Sequence, residues 1–192
     1  MWVRSLGRRL PRASIGIACS FLALAGCSGA EPDALPGALP EVSFEAREAH
    51  PPLDEIWLAL GGETFILEVA DDPASRFRGL SQRRELPPNS GMLFVLPRSQ
   101  PFSMVMRDCP GPIDVAFLDD EARVVVVHEM SPEPPRGEHE ALQAYERRLP
   151  RYPSRVPVRF AIETAGGRLK QVGLAAGDRL ALDVQSLTAA AR

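Results

Sequence analysis

Apolar and polar positions alternate twice near the middle of the chain: "IWLAL", a Gly61-Gly62 pair, then "ETFILEVA". Period two places Phe65, Leu67 and Val69 on one side of a strand, and two such runs joined by glycines predict a β-hairpin. In "DDPASRFRGL", Asp72 is a helix cap with Pro73 at the first helical position, so a short helix follows. "GMLFVL" and "FSMVM" predict two further strands, with Pro97 and Pro101 bracketing the turn between them. "IDVAFLD" and "RVVVVHEM" flank the polar turn Asp119 to Ala122 and predict a second hairpin. The unbroken "VVVV" predicts a strand covered on both faces. "VRFAIET" reads as another strand, "GRLKQVG" as a short helix, and "RLALDV" as a last strand. Hairpins outnumber crossovers, so the expected class is mostly β: an antiparallel sandwich or barrel with short helical inserts.

Where periodicity fails, the chain reads differently. Residues 28–54 are rich in proline and scattered acids, with no sustained helical or alternating period. That composition predicts a semi-extended tether spanning roughly 25–30 Å. The long connection "SPEPPRGEHEALQAYERRLPRYPSRVP" carries prolines at both ends, while Leu142, Tyr145 and Leu149 recur at helical spacing. It predicts a short surface helix inside an extended loop, and loops of this length are often functional or disordered.

The N-terminus supplies an address. Arg4, Arg8, Arg9 and Arg12 precede an uncharged run from Ala13 to Gly26. That run is shorter than the roughly 20 apolar residues a membrane span needs, and it fits the apolar region of an export signal. Its end, Leu24-Ala25-Gly26-Cys27, resembles the lipobox of bacterial lipoproteins, in which the cysteine is lipidated and becomes the new N-terminus. The expected organisation is a signal peptide over 1–26, a lipidated tether over 27–54, one β domain over 55–188 and a short tail over 189–192. The expected location is the bacterial cell envelope, held by acyl chains on Cys27. Ser28 after the cysteine points to the periplasmic face of the outer membrane in a Gram-negative host.

Cleavage also changes the charge. Four of the 22 basic residues leave with the signal and no acid does, so 18 basic groups face 25 acidic ones, a balance of −7. Such a chain lacks the basic footprint of a nucleic-acid binder. Of the cysteines, only Cys109 remains as a thiol once Cys19 is removed and Cys27 is acylated, so no intrachain disulfide is expected.

Candidate chemistry crowds into "PFSMVMRDCPGPIDVAFLDD". Phe102, Met104 and Met106 share one side of a strand by parity, which is the pattern of a core face, and methionine fills irregular gaps well. A cuprous site built from Met104, Met106, Cys109, His128 and Met130 is the alternative, because soft ligands favour that ion. Cys109 with His128 and Asp114 can be drawn as a thiol triad. His128 beside Glu129 can be drawn as a metal or acid–base pair, or as a surface ion pair. Arg76 and Arg78 sit on a short helix, facing solvent or reaching a carboxylate. Arg107, Asp108 and Cys109 complete the polar cluster. Asp114 stands between Ile113 and Val115 in an apolar strand, so burial requires partners for it. The expected role is a clamp on the Pro110–Pro112 turn, with a polar anchor in a pocket as the alternative.

"VADDPASRFRGLSQRRELPPNSGMLFVL", "FSMVMRDCPGPIDVAFLDDEARVVVVHE" and "GLAAGDRLALD" together resemble the domain of unknown function 192 family over about Glu63 to Asp183. The resemblance implies a compact β-sandwich of jelly-roll type, often exported, and brings no reaction, cofactor or catalytic residue. Arg107-Asp108-Cys109 stands where the family tends to have a lysine-asparagine-threonine run, and Gly111 stands where isoleucine is usual. The expected function is a lipid-anchored envelope module with a non-catalytic binding role and no cofactor. Its partners are the membrane, through Cys27, and an envelope protein or small ligand. The alternatives are an envelope enzyme using Cys109 or His128 and Glu129, and a copper-handling lipoprotein.

Overall fold

Leu60 pairs with Glu63 across Gly61-Gly62, closing the antiparallel hairpin of β1 (Glu55–Leu60) and β2 (Glu63–Ala70). Gly61 has φ +55°, and a Cβ there would run into the Val172 carbonyl, so only glycine fits this corner. The computed structural model describes residues 52–192. The signal peptide, Cys27 and the tether as far as residue 51 lie outside the described residues.

Asp72 caps α1 (Pro73–Arg78): its carboxylate accepts from the amides of Ala74 and Ser75, and the Ser75 hydroxyl reaches back in a capping box. Then follow β3 (Ser90–Met104), β4 (Ile113–Leu118), β5 (Val124–Met130), α2 (Leu142–Arg148), β6 (Tyr152–Ala165), α3 (Arg168–Gln171) and α4 (Val184–Ala190). The strands form one six-stranded sheet in the order β1-β2-β3-β6-β4-β5. The mostly-β class with short helical inserts stands, and the described residues form a mixed sheet with no closed barrel.

Several elements differ from expectation. The β2–β3 pair is parallel, from Ile66 beside Ser90 to Ala70 beside Phe94. A crossover permits this: α1 and the turns after it give the chain enough length to return to the same end of the sheet. "GMLFVL" and "FSMVM" belong to one long strand, β3, whose register against β6 slips between Val95 and Gln100 and again between Pro101 and Ser103. "RLALDV" forms no strand. Arg179 makes an isolated bridge to Arg123, and α4 follows. That helix runs past residue 188, and the Arg192 amide donates to the Asp71 carbonyl. β5 is an edge strand, so Val125, Val126 and Val127 are only partly covered.

Both faces of the sheet carry a core. On one, Leu93, Val95, Ala116, Leu118, Phe160 and Ile162 pack against Leu169, Leu174 and Leu180 from the α3 region and beyond. On the other, Met92, Phe94, Val115, Phe117 and Ala161 pack with Leu80, Met104, Met106 and Cys109. Burial of this much contiguous apolar surface is what holds the fold.

Candidate functional site

The second core is incomplete. Between α1, the turn after it, β3, the loop following β3 and the end of β6 lies a cavity of about 360 Å³. Apolar walls come from Phe77, Phe94, Leu96, Phe102 and Met104. Into this lining β6 brings Glu163, which pairs in register with Met92 on one side and Val115 on the other. Glu163 is only 6 % exposed, and its Oε2 has no hydrogen-bond partner. The Ser103 hydroxyl, in the same lining, is buried and equally unpartnered. Burial pushes the Glu163 carboxyl up to about 7, against the opposing pull of the Leu80 amide and the Arg83 guanidinium. Gly79 keeps the cavity open: it sits at φ +51°, and a Cβ would stand 3.3 Å from Phe94 and 3.4 Å from Glu163 Oε2.

The rim is basic, but its cations have carboxylates nearby. Arg107 forms a two-point pair with Glu146 of α2, Nε to Oε1 at 2.5 Å and Nη2 to Oε2 at 2.8 Å. Its guanidinium lies 4.3 Å from the centre of the Phe77 ring. Arg76 donates to the Val95 carbonyl at 3.0 Å and feels Asp72 and Asp71. Arg78 helps to hold the Glu68 carboxyl low, behind the larger effect of the Arg83–Glu68 pair. The expected surface helix thus has a structural task. Tyr145 of α2 is 1 % exposed, and its hydroxyl fixes Asp108, which has φ +52°.

Cys109 lines the same cavity, where burial, with the Glu163 charge next, pushes its thiol up to about 12. It remains a thiol at neutral pH, and a nucleophile needs the thiolate. Asp114 and His128 are elsewhere, lining a separate recess with Glu129 and Lys170. Asp114 accepts from the Gly167 and Leu169 amides, each at 2.9 Å, so it clamps the entry to α3 rather than the Pro110–Pro112 turn. Burial raises its carboxyl above the usual range, and those amides pull it back. His128 Nε2 lies 2.9 Å from the Pro153 carbonyl oxygen, and its ring meets Phe117 and Tyr152 edge-on. Glu129 pairs with Lys170 at 3.8 Å on the surface. The thiol triad is therefore not assembled. Met104, Met106, Cys109 and Met130 are buried together in the second core. Among the described residues, no group of three or more His, Cys, Asp or Glu side chains is placed to hold a metal ion.

The family model described as DUF192, Uncharacterized ACR, matches residues 56–182, nearly the whole described domain. The chain belongs to the DUF192 family. No curated protein matches it. Among solved structures, this DUF192 domain is similar to a candidate transcription regulator from Sinorhizobium meliloti 1021. The two share 29 % identity with a TM-score of 0.53, over 66 % of this chain and 90 % of that one. A protein of unknown function from Novosphingobium aromaticivorans DSM 12444 shares the fold at 20 % identity and a TM-score of 0.55. That match covers 70 % of this chain and 95 % of the other.

Glu163, Ser103 and Glu146 are the members of the site that patterning did not single out. For Glu163 the signal was present. A carboxylate inside "VRFAIET" is as conspicuous as Asp114 inside "IDVAFLD".

Proposed function

We propose that this DUF192 protein is a lipid-anchored binding module of the cell envelope, which holds a small ligand in the cavity beside Glu163. The observation that carries the reading is a buried carboxyl oxygen without a partner, on a residue that lines a cavity with mostly apolar walls. Leaving a buried polar atom unpaired costs about 1–3 kcal/mol, and a ligand that satisfies it regains that amount. Concave, largely apolar sites with a few placed polar groups are the usual form of small-ligand sites.

The anchor is supported by the cationic leader, the apolar run and Leu24-Ala25-Gly26-Cys27, with the proline-rich segment as spacer. No helix among the described residues is long and apolar enough to cross a membrane. The regulator likeness lends little to a nucleic-acid role here, because acids exceed bases by seven after loss of the leader arginines.

Saturation-transfer NMR of a small-molecule fragment set against the full chain tests the binding reading. Fragments should be captured by the wild type and lost when Val105→Trp fills the cavity. Capture that survives the blocked cavity, or no capture at all, would overturn it.

A further inference from the structure

The buried, unpartnered carboxylate in the cavity lining sets the chemistry of the ligand's head group. Arg107 is neutralised by the two-point pair with Glu146. Arg76 donates to the Val95 and Arg192 carbonyl oxygens, and Arg78 adds a smaller pull to the Arg83 effect that holds Glu68 low. Arg83, the cation that acts on Glu163, is itself engaged by both oxygens of Glu68, at 2.5 and 2.6 Å. Cys109 stays a neutral thiol. Glu163 is the carboxylate of this lining; no ion pair is made to it, and its Oε2 has no donor. Around it stand the rings of Phe77, Phe94 and Phe102, whose faces attract cations.

Building on the cavity reading above, we infer that the ligand carries a cationic amine which pairs with Glu163 inside the cavity, its apolar body lying against the aromatic wall. A second carboxylate brought to the same point would repel, and a neutral hydroxyl would satisfy the oxygen without answering its charge. Charge-assisted hydrogen bonds are about twice as strong as neutral ones, and low local polarity strengthens them further. Ser103 supplies a second point, since its free hydroxyl can accept from the same ammonium group or bond to another part of the ligand.

Three matched probes test this at pH 8: phenethylammonium, 2-phenylethanol and 3-phenylpropionate. Each is titrated into the isotope-labelled full chain in detergent micelles, with the amide signals of Gly79, Leu80 and Ser81 as the readout. The ammonium probe should bind about tenfold tighter than the alcohol, the carboxylate should bind weakest, and Glu163→Gln should bring ammonium and alcohol to similar affinity. If the alcohol or the carboxylate binds as tightly as the amine through those signals, the amine inference falls while the cavity remains a ligand site. If no probe moves those signals, both readings fall. Unchanged amine binding in Glu163→Gln, with an unchanged melting temperature, would also overturn the inference.

Discussion

The phenol of Tyr145 and Asp108 bond to each other twice: the hydroxyl donates to Oδ1 at 2.9 Å and accepts from the Asp108 amide at 2.9 Å. Asp108 sits at φ +52°, an unfavourable region that aspartate tolerates better than most residues. The two hydrogen bonds fix that conformation and so the position of the neighbouring Arg107 and Cys109. Tyr145→Phe should therefore cost about 1–2 kcal/mol, read by denaturant unfolding. It should also speed amide exchange at 107–109 more than in β4. Equal exchange in the two segments would show that α2 does not hold the loop.

Glu163 makes stability depend on pH in an unusual sense for a carboxylate. Its folded value of about 7 lies above the ordinary 4.5. The folded chain thus keeps a proton that the unfolded chain releases. The stabilising contribution is full below about pH 4.5 and is lost as pH rises toward 7. The range corresponds to roughly 3 kcal/mol. Carboxylates held low, such as Glu68 and Glu146, act in the opposite sense at more acidic pH. The stability difference between Glu163→Gln and wild type should accordingly grow in the variant's favour from pH 5 to pH 8. A difference that stays flat would place Glu163 in contact with solvent or with a partner.

Legibility in the sequence followed the range of the forces involved. The β1–β2 hairpin, the β4–β5 hairpin and the capped start of α1 were readable because glycines, turn residues and a cap act within a few positions. The parallel β2–β3 pair was not, since pairing across a crossover leaves no local mark. Pro97 and Pro101 looked like the ends of strands, yet β3 continues through them, because its register against β6 slips there. Leu180 and Leu182 alternate like a strand and do pack on the core, but apart from the Arg179 bridge no neighbouring strand pairs with that segment. The site was half visible. Arg76, Arg78, Arg107 and Cys109 converge on the cavity, while Asp114, His128 and Glu129 line another recess. Glu163 does leave a mark: it interrupts the apolar run of β6 as Asp114 interrupts that of β4.

Asp114 offers a separate test of a buried carboxylate with partners. It is 1 % exposed and accepts from the amides of Gly167 and Leu169. Asp114→Ala strands both donors and should destabilise the fold by about 1–3 kcal/mol. Exchange should quicken at residues 167–169. Amine binding in the Glu163 cavity should be unaffected, since Asp114 does not line it. Unchanged stability would remove the clamp.

The proposed lipid anchor stands or falls on Cys27. Cys27→Ala should leave a protein that no longer partitions into the detergent phase and whose mass lacks acyl chains. The motive is the cationic leader ending in Leu24-Ala25-Gly26-Cys27. Intact mass of the mature wild type is the direct measurement, and an unmodified Cys27 there would end the lipoprotein proposal.

Met104 and Met106 decide between packing and soft-metal chemistry. They are 7 % and 0 % exposed and share a core with Phe94, Leu96 and Phe117. Methionine suits such a place because its thioether chain adapts to irregular gaps. Leucine is close in volume, and swaps of this kind usually cost less than about 1.5 kcal/mol each. The double change Met104→Leu, Met106→Leu should thus fold with a slightly lower melting temperature. A copper site predicts a different loss. Leucine has no lone pair to offer, so cuprous binding would disappear while the fold survived. His128 is already placed against the Pro153 carbonyl, and drawing its Nε2 to a metal would break that contact. Anaerobic titration of wild type with cuprous ion against a competing chelator separates the cases. We expect no stoichiometric tight binding. If such binding were found, and were abolished in the double variant, the sulfur cluster would be a metal site rather than part of the packed second core.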